Sequence, residues 1–172
     1  MVYINDLHKF IFIDNPKSGS TAITNALRQA LGVQIPRGSP KEVHLTCKEI
    51  KELHPDKWEK YLKVTTYRDP FRRFCSSVNY GSHYFEKYSN IEELKEHFQN
   101  NKNCVYCLPQ EAFTEEVDFI IHLDTIQKDF DTFCKKIGID SVKIGIDNKK
   151  NTTRKFFNLE QTFKDLKNLK LV

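Results

Sequence analysis

The sequence predicts one α/β domain over residues 1–172, a parallel sheet with helices on both faces. Three observations carry that expectation. Short apolar or β-branched runs alternate with segments of helical periodicity, the pattern of successive β-α-β units. Two of the strand-like runs end abruptly in polar loops that open helices, which is where such sheets bind ligands. At 172 residues, with 39% hydrophobic and 29% charged positions, the chain suffices for one core and not comfortably for two.

The elements follow in order. Residues 9–13 (Lys9-Phe10-Ile11-Phe12-Ile13) read as a buried strand closed by Asp14-Asn15-Pro16. The loop Pro16-Lys17-Ser18-Gly19-Ser20-Thr21 leads into a helix over 22–31, whose apolar positions share one face and which Gly32 terminates. Residues 33–43, with two prolines and a glycine, read as a loop. Thr46 and Glu49 have capping-box spacing and open a short helix to about Leu53. Trp58 and Tyr61 mark a further helical turn, and the β-branched residues of 62–67 mark the next strand.

That strand stops at Arg68-Asp69-Pro70, and a helix is expected over 71–80. Ser89 and Glu92 suggest a second capping box, with a polar helix to about Gln99. Residues 117–123 form a third strand. Asp124 is then expected to cap a helix carrying Ile126, Phe130, Phe133, Cys134 and Ile137 at helical spacing, closed by Gly138. A fourth strand is expected over 142–146, then a basic loop over 147–155. Asn158 with Gln161 begins a last helix.

Charge and composition narrow the function classes. The net charge of +4 sits in the tail: from Lys143 onward there are eight Lys/Arg against three Asp/Glu, and elsewhere nineteen against twenty. A basic tail on a neutral body suits a local anionic ligand better than a nucleic-acid surface. No apolar run approaches the roughly 20 residues of a membrane span, and the first residues show no leader, so no stable membrane insertion and a cytoplasmic location are expected. Five cysteines include one CxxC, Cys104 to Cys107, with no second pair or nearby His to complete a metal site. Free thiols and no metal are expected.

The first loop has the composition of an anion site and makes the expected fold P-loop-like. Gly19 allows close backbone approach, and the amides from Ser18 to Thr21 stand at a helix N-terminus, where unpaired N–H groups and the positive dipole end favour phosphate or sulfate. Lys17 adds a positive charge, and Ser20 and Thr21 add hydroxyl donors. A Walker A loop is excluded, because Lys17 precedes the glycine and no glycine opens the loop.

Residues 13–21, with Pro16-Lys17-Ser18-Gly19-Ser20-Thr21 at their core, resemble the 5′-phosphosulfate loop of sulfotransferases that use 3′-phosphoadenosine 5′-phosphosulfate (PAPS). Residues 67–80 resemble that family's 3′-phosphate segment, in which an Arg at a strand end and a Ser eight residues later grip the phosphate. Here these are Arg68 and Ser76. Arg-Asp-Pro followed by Arg73 is most similar to the carbohydrate branch of the family, which contains Golgi-type glycan enzymes and their bacterial relatives. Residues 117–138, with Asp129-Phe130, and the basic loop 151–155, with Arg154, are similar more weakly; in the family the latter closes over the cofactor. Asp14-Asn15 depart from the commoner residues before Pro-Lys, and the chain ends soon after its last helix.

The resemblance implies a sulfotransferase that moves a sulfuryl group from PAPS to a hydroxyl, with a glycan as favoured acceptor, adenosine 3′,5′-bisphosphate (PAP) as product and no metal. Sulfuryl transfer proceeds in line, with charge growing on the leaving oxygen, so Lys17 is the candidate for donor positioning and leaving-group stabilisation. His44 is the candidate base, since relatives place a His between the two phosphate segments and imidazole titrates near neutrality. His83, Glu42 and Asp14 are the alternatives; His8, His54, His97 and His122 read as surface or strand residues. An ATP-dependent kinase and a non-catalytic nucleotide binder are the competing functions.

Overall fold

The computed structural model describes residues 2–34, 44–84, 91–100, 108–145 and 159–168, with side chains excepted at 80–84 and 91. Among these residues it is a single-sheet α/β protein with four mostly parallel strands and eight α-helices. The chain groups into two compact units, Met1–Arg68 with Gln110–Asp147, and Asp69–Pro109 with Asn148–Val172.

The first unit holds the whole sheet, in the order β1 (Tyr3–Asn5), β2 (Phe10–Ile13), β3 (Leu62–Tyr67), β4 (Phe119–His122). β2, β3 and β4 run parallel, pairing Ile13 with Thr65 and Tyr67 with His122. Their carboxyl ends therefore share one edge. β1 pairs antiparallel with β2, which was not foreseen. Its turn is local: Asn5 Oδ1 accepts the His8 amide at 2.7 Å, and Lys9 adopts φ +52°.

Alternation along β2 sets the packing. Phe10 and Phe12 join a core with Val64, Ile121 and the apolar stripes of α1 (Ser20–Leu31) and α7 (Ile126–Ile137). Phe10 meets Phe133 edge to face at 5.4 Å. Each such buried phenyl contributes up to about 3 kcal/mol. The alternate residues Ile11 and Ile13 are fully buried too, so both faces of this strand are covered.

Around the sheet stand α2 (Cys47–Leu53), α3 (Pro55–Lys60) and α6 (Glu111–Thr114), of which α6 was not expected. The capping box of α2 forms as expected, Glu49 N donating to Thr46 Oγ1 at 3.3 Å and Thr46 N to Glu49 Oε2 at 2.7 Å. Gly138 closes α7 at φ +71°.

Two expectations are corrected. Asp124 does not cap α7: a 3₁₀ turn, Leu123–Thr125, intervenes, and Asp129 reaches back instead to accept from the His122 amide and the Thr125 hydroxyl. Residues 142–145 form no strand. Gln127 of α7 satisfies their backbone from the side, donating to Val142 O at 3.1 Å and accepting from Ile144 N at 2.8 Å, while Ile144 packs into the core. Ile146 lies outside the described residues.

The second unit is helical: α4 (Pro70–Tyr84), α5 (Ile91–Asn100) and α8 (Leu159–Asn168). Pro70 opens α4 and Asp69 Oδ1 accepts the Arg72 amide at 2.9 Å, which is why strand gives way to helix so sharply. α4 runs one turn beyond the expected Tyr80. Phe74, Leu94, Phe98 and Leu166 share its apolar core, and Lys95 pairs with Asp165 at 3.2 Å. The Ser89 capping signal lies outside the described residues.

Candidate anion-binding site

The site begins where β2 ends. Asn15 is fully buried, and its side-chain amide donates to Thr66 O at 2.8 Å and to Gln110 Oε1 at 3.2 Å. The Ser18 hydroxyl, also fully buried, bonds Asn15 O and meets the Thr66 hydroxyl, so it is engaged within the protein. Thr65 Oγ1 donates to Ile13 O at 2.9 Å. The loop is thus sewn to the neighbouring strand from beneath.

Two residues turn through left-handed backbone. Lys17 has φ +64°, uncommon for a residue with a Cβ, and Gly19 has φ +94°. At Gly19 the reason is also steric: a Cβ there would lie 2.6 Å from Leu123 Cδ1. Gly19 is the N-cap of α1, and Ala22 N bonds its carbonyl at 3.0 Å. A glycine cap offers no side-chain acceptor, and the first turn of α1 has no acidic residue, in contrast to the capping box of α2. Ser20 is buried and Thr21 exposed in that turn.

Arg68, just past the carboxyl end of β3, joins this loop. Its Nη1 donates to Lys17 O at 3.3 Å. Burial, then the charge of Arg68, lowers the Lys17 ammonium to about 8. Lys17 and Arg68 thus stand near a helix start whose first turn holds no acidic residue, at the carboxyl ends of the strands. Gln110, nearly fully buried, holds Arg68 in place, accepting from its amide at 3.2 Å and donating to its carbonyl at 2.8 Å.

His44 lies at the same end of β2. Its Nδ1 is 3.2 Å from Asp14 Oδ2 and 3.2 Å from Asp14 O, and its backbone is left-handed at φ +68°. Burial works against a charged Asp14, yet opposing contributions led by the His44 hydrogen bond and charge carry its carboxyl down to about 2.

Of the expected site residues, Lys17, Ser18, Gly19, Ser20, Thr21, Arg68 and His44 all belong to the first unit, and the Arg68 side chain bonds the Lys17 carbonyl. Ser76 is buried on α4 of the second unit. Arg154, Glu42 and the side chain of His83 lie outside the described residues. His8 contacts Ile137 O at 3.0 Å, a structural role, and His122 is exposed beside Tyr67 at the end of β4. Sequence reasoning missed Asn15 and Gln110 as braces and the pairing of Asp14 with His44. Only the position of Asn15 inside the motif could have signalled one of them.

Cys47 and Cys134 are free, buried thiols, pushed by burial up to about 12 and about 11 respectively and so poor nucleophiles. The CxxC pair lies outside the described residues. Among the described residues no group of three or more His, Cys, Asp or Glu could hold a metal ion, and no helix is long and apolar enough to cross a membrane.

Comparison of the chain with protein-family models, with curated proteins and with solved structures returned no match in any of the three.

Proposed function

We propose that the protein is a PAPS-dependent sulfotransferase with a P-loop-like donor site, acting on a hydroxyl of a carbohydrate. The observation that supports this best is the meeting of the two phosphate-type segments: Arg68, from the second, reaches Lys17, from the first, at an α1 N-terminus without acidic residues. A nucleotide bearing both a 5′-phosphosulfate and a 3′-phosphate gives both segments a purpose. A ligand with phosphates only on its 5′ side leaves the Arg68 segment without one.

In this reading the glycine-loop amides and Lys17 receive the 5′-phosphosulfate, and Lys17 neutralises the charge that grows on the leaving oxygen. Arg68 takes the 3′-phosphate through its planar fork, and the resemblance assigns Ser76 to the same phosphate. His44 is the base, and the resemblance assigns Arg154 to nucleotide binding as well. The acceptor hydroxyl attacks sulfur in line, and PAP departs. No step requires a metal.

Calorimetric titration with PAP, AMP and ATP tests the assignment. PAP is expected to bind at least about tenfold more tightly than AMP, because a charge-assisted contact to the 3′-phosphate contributes about 1.5–3 kcal/mol. In Arg68→Ala the preference should collapse with little change for AMP. Equal affinity for PAP and AMP in the wild type, or displacement of PAP by ATP with Mg²⁺, would falsify the assignment and favour the kinase reading.

A further inference from the structure

We propose that Gln110 is the positioning residue of Arg68 and through it sets the preference of the site for a nucleotide that carries a 3′-phosphate. The identity of the ligand rests on the sulfotransferase reading. The hold of Gln110 on Arg68 rests on geometry alone.

The ladder of β3 with β4 ends at Tyr67, which pairs with His122, so Arg68 is the first residue past the strand. There a side chain takes the part of a neighbouring strand. The Gln110 carboxamide accepts from Arg68 N at 3.2 Å through Oε1 and donates to Arg68 O at 2.8 Å through Nε2. Oε1 also accepts from Asn15 Nδ2 at 3.2 Å. The three contacts agree on one orientation of the amide, its oxygen toward two donors and its nitrogen toward a carbonyl. Among side chains of this length only a carboxamide presents donor and acceptor side by side. Glu loses the donor and Met loses both.

Gln110 is itself anchored. It is 4% exposed and stands at the start of α6, where its main-chain carbonyl accepts from Phe113 N at 2.8 Å, and Phe113 is fully buried. Its side chain makes no capping bond to that helix and is spent on Arg68 and Asn15 instead. An Arg fork sits at the end of a long stem, and a two-point contact with phosphate tolerates little displacement of its root.

The effect falls on one segment of the site. Without the Gln110 amide, Arg68 loses a contact at N and another at O. Asn15 keeps Thr66 O at 2.8 Å, and the Ser18 and Thr65 hydroxyls keep Asn15 O and Ile13 O. The Arg68 segment therefore loosens while the glycine loop stays in place.

The test uses the full chain, as wild type and as Gln110→Met, which keeps the length of the side chain and removes its amide. Amide hydrogen exchange of ¹⁵N-labelled protein without nucleotide reads the hold. The Arg68 amide should be protected in the wild type and exchange at least about tenfold faster in Gln110→Met, with Thr65 and Thr66 unchanged. Calorimetry with PAP and AMP reads the consequence. PAP should weaken about tenfold and AMP by less than about twofold, a split that general loosening of the fold does not produce. In the Arg68→Ala background, Gln110→Met should take nothing further from the preference, since both changes remove the same contact. An Arg68 amide that exchanges in the wild type as freely as in an unfolded chain overturns the proposal whether or not the variant folds. So does an unchanged preference in folded Gln110→Met, or equal weakening of PAP and AMP. Equal affinity for PAP and AMP in the wild type brings down the sulfotransferase reading and the selectivity role with it, while exchange at Arg68 independently decides the hold.

Discussion

Under the proposed function, the lowered Lys17 ammonium makes nucleotide affinity depend on pH in a definite direction. With its value at about 8, Lys17 is about 90% protonated at pH 7 and about 10% at pH 9. A bound phosphate or sulfate removes the cause of the shift, since it neutralises the repulsion from Arg68 and replaces lost solvation, and so returns the ammonium toward its ordinary value. The complex then holds the proton more tightly than the free protein does. Affinity is therefore highest below pH 8, and binding above pH 8 takes up a proton.

Complete recovery weakens PAP binding about tenfold between pH 7 and pH 9, about 1.4 kcal/mol. Lys17 is only half-buried, so solvent screening reduces this to between about threefold and tenfold. The ligand does not mask the effect, because a phosphate completes its second ionisation near pH 6. Calorimetry of PAP at pH 7 and 9 reads the affinities, and two buffers of different ionisation enthalpy at pH 8.5 read the proton uptake, on the order of half a proton or more. Lys17→Met should bind weakly and without pH dependence. A wild-type affinity that is flat from pH 7 to 9, or a pH dependence that survives Lys17→Met, refutes the placement of this ammonium at the anion.

Three further outcomes follow from the same geometry. Gly19→Ala should lose about 2–3 kcal/mol in urea denaturation, from its φ of +94° and the displacement of Leu123, whereas Gly32→Ala, at φ +62° with open space, should lose only about 1–2; equal losses would show that the Leu123 contact is not felt. Gln110→Ala leaves the Arg68 main chain and the Asn15 amide without their buried partner, so it should cost about 2–3 kcal/mol and weaken PAP binding in parallel, and unchanged affinity would remove its bracing role. Asp14 titrates lower in the folded chain than in the unfolded one, so its stabilisation is present above pH 3.8 and is lost as the pH falls toward 2. Acid unfolding followed by circular dichroism should accordingly lose part of its slope over that window in Asp14→Asn, and an identical profile would contradict the pairing with His44.

The features legible in the residues are those decided by near neighbours. The four apolar residues of β2, the helix read over 22–31 (which starts two residues earlier, at Ser20) and its Gly32 stop, the Thr46–Glu49 capping box and the β-branched run of β3 each follow from spacing within a few positions. The strand–loop–helix layout of the proposed anion site was legible for the same reason, since Lys17, Gly19 and the start of α1 lie within a few residues. Tertiary structure decided what sequence distance conceals. Residues 142–145 have a strand's composition, yet Gln127 takes their hydrogen bonds before any strand can. β1 is three residues long, too short for periodicity to show, and exists because β2 offers an open edge. Gln110 is forty-two residues from Arg68, and Asp14 thirty from His44, so no local pattern joins either pair. Propensity and periodicity act over a turn or two of chain, whereas a buried donor takes whichever acceptor the packed sheet brings to it.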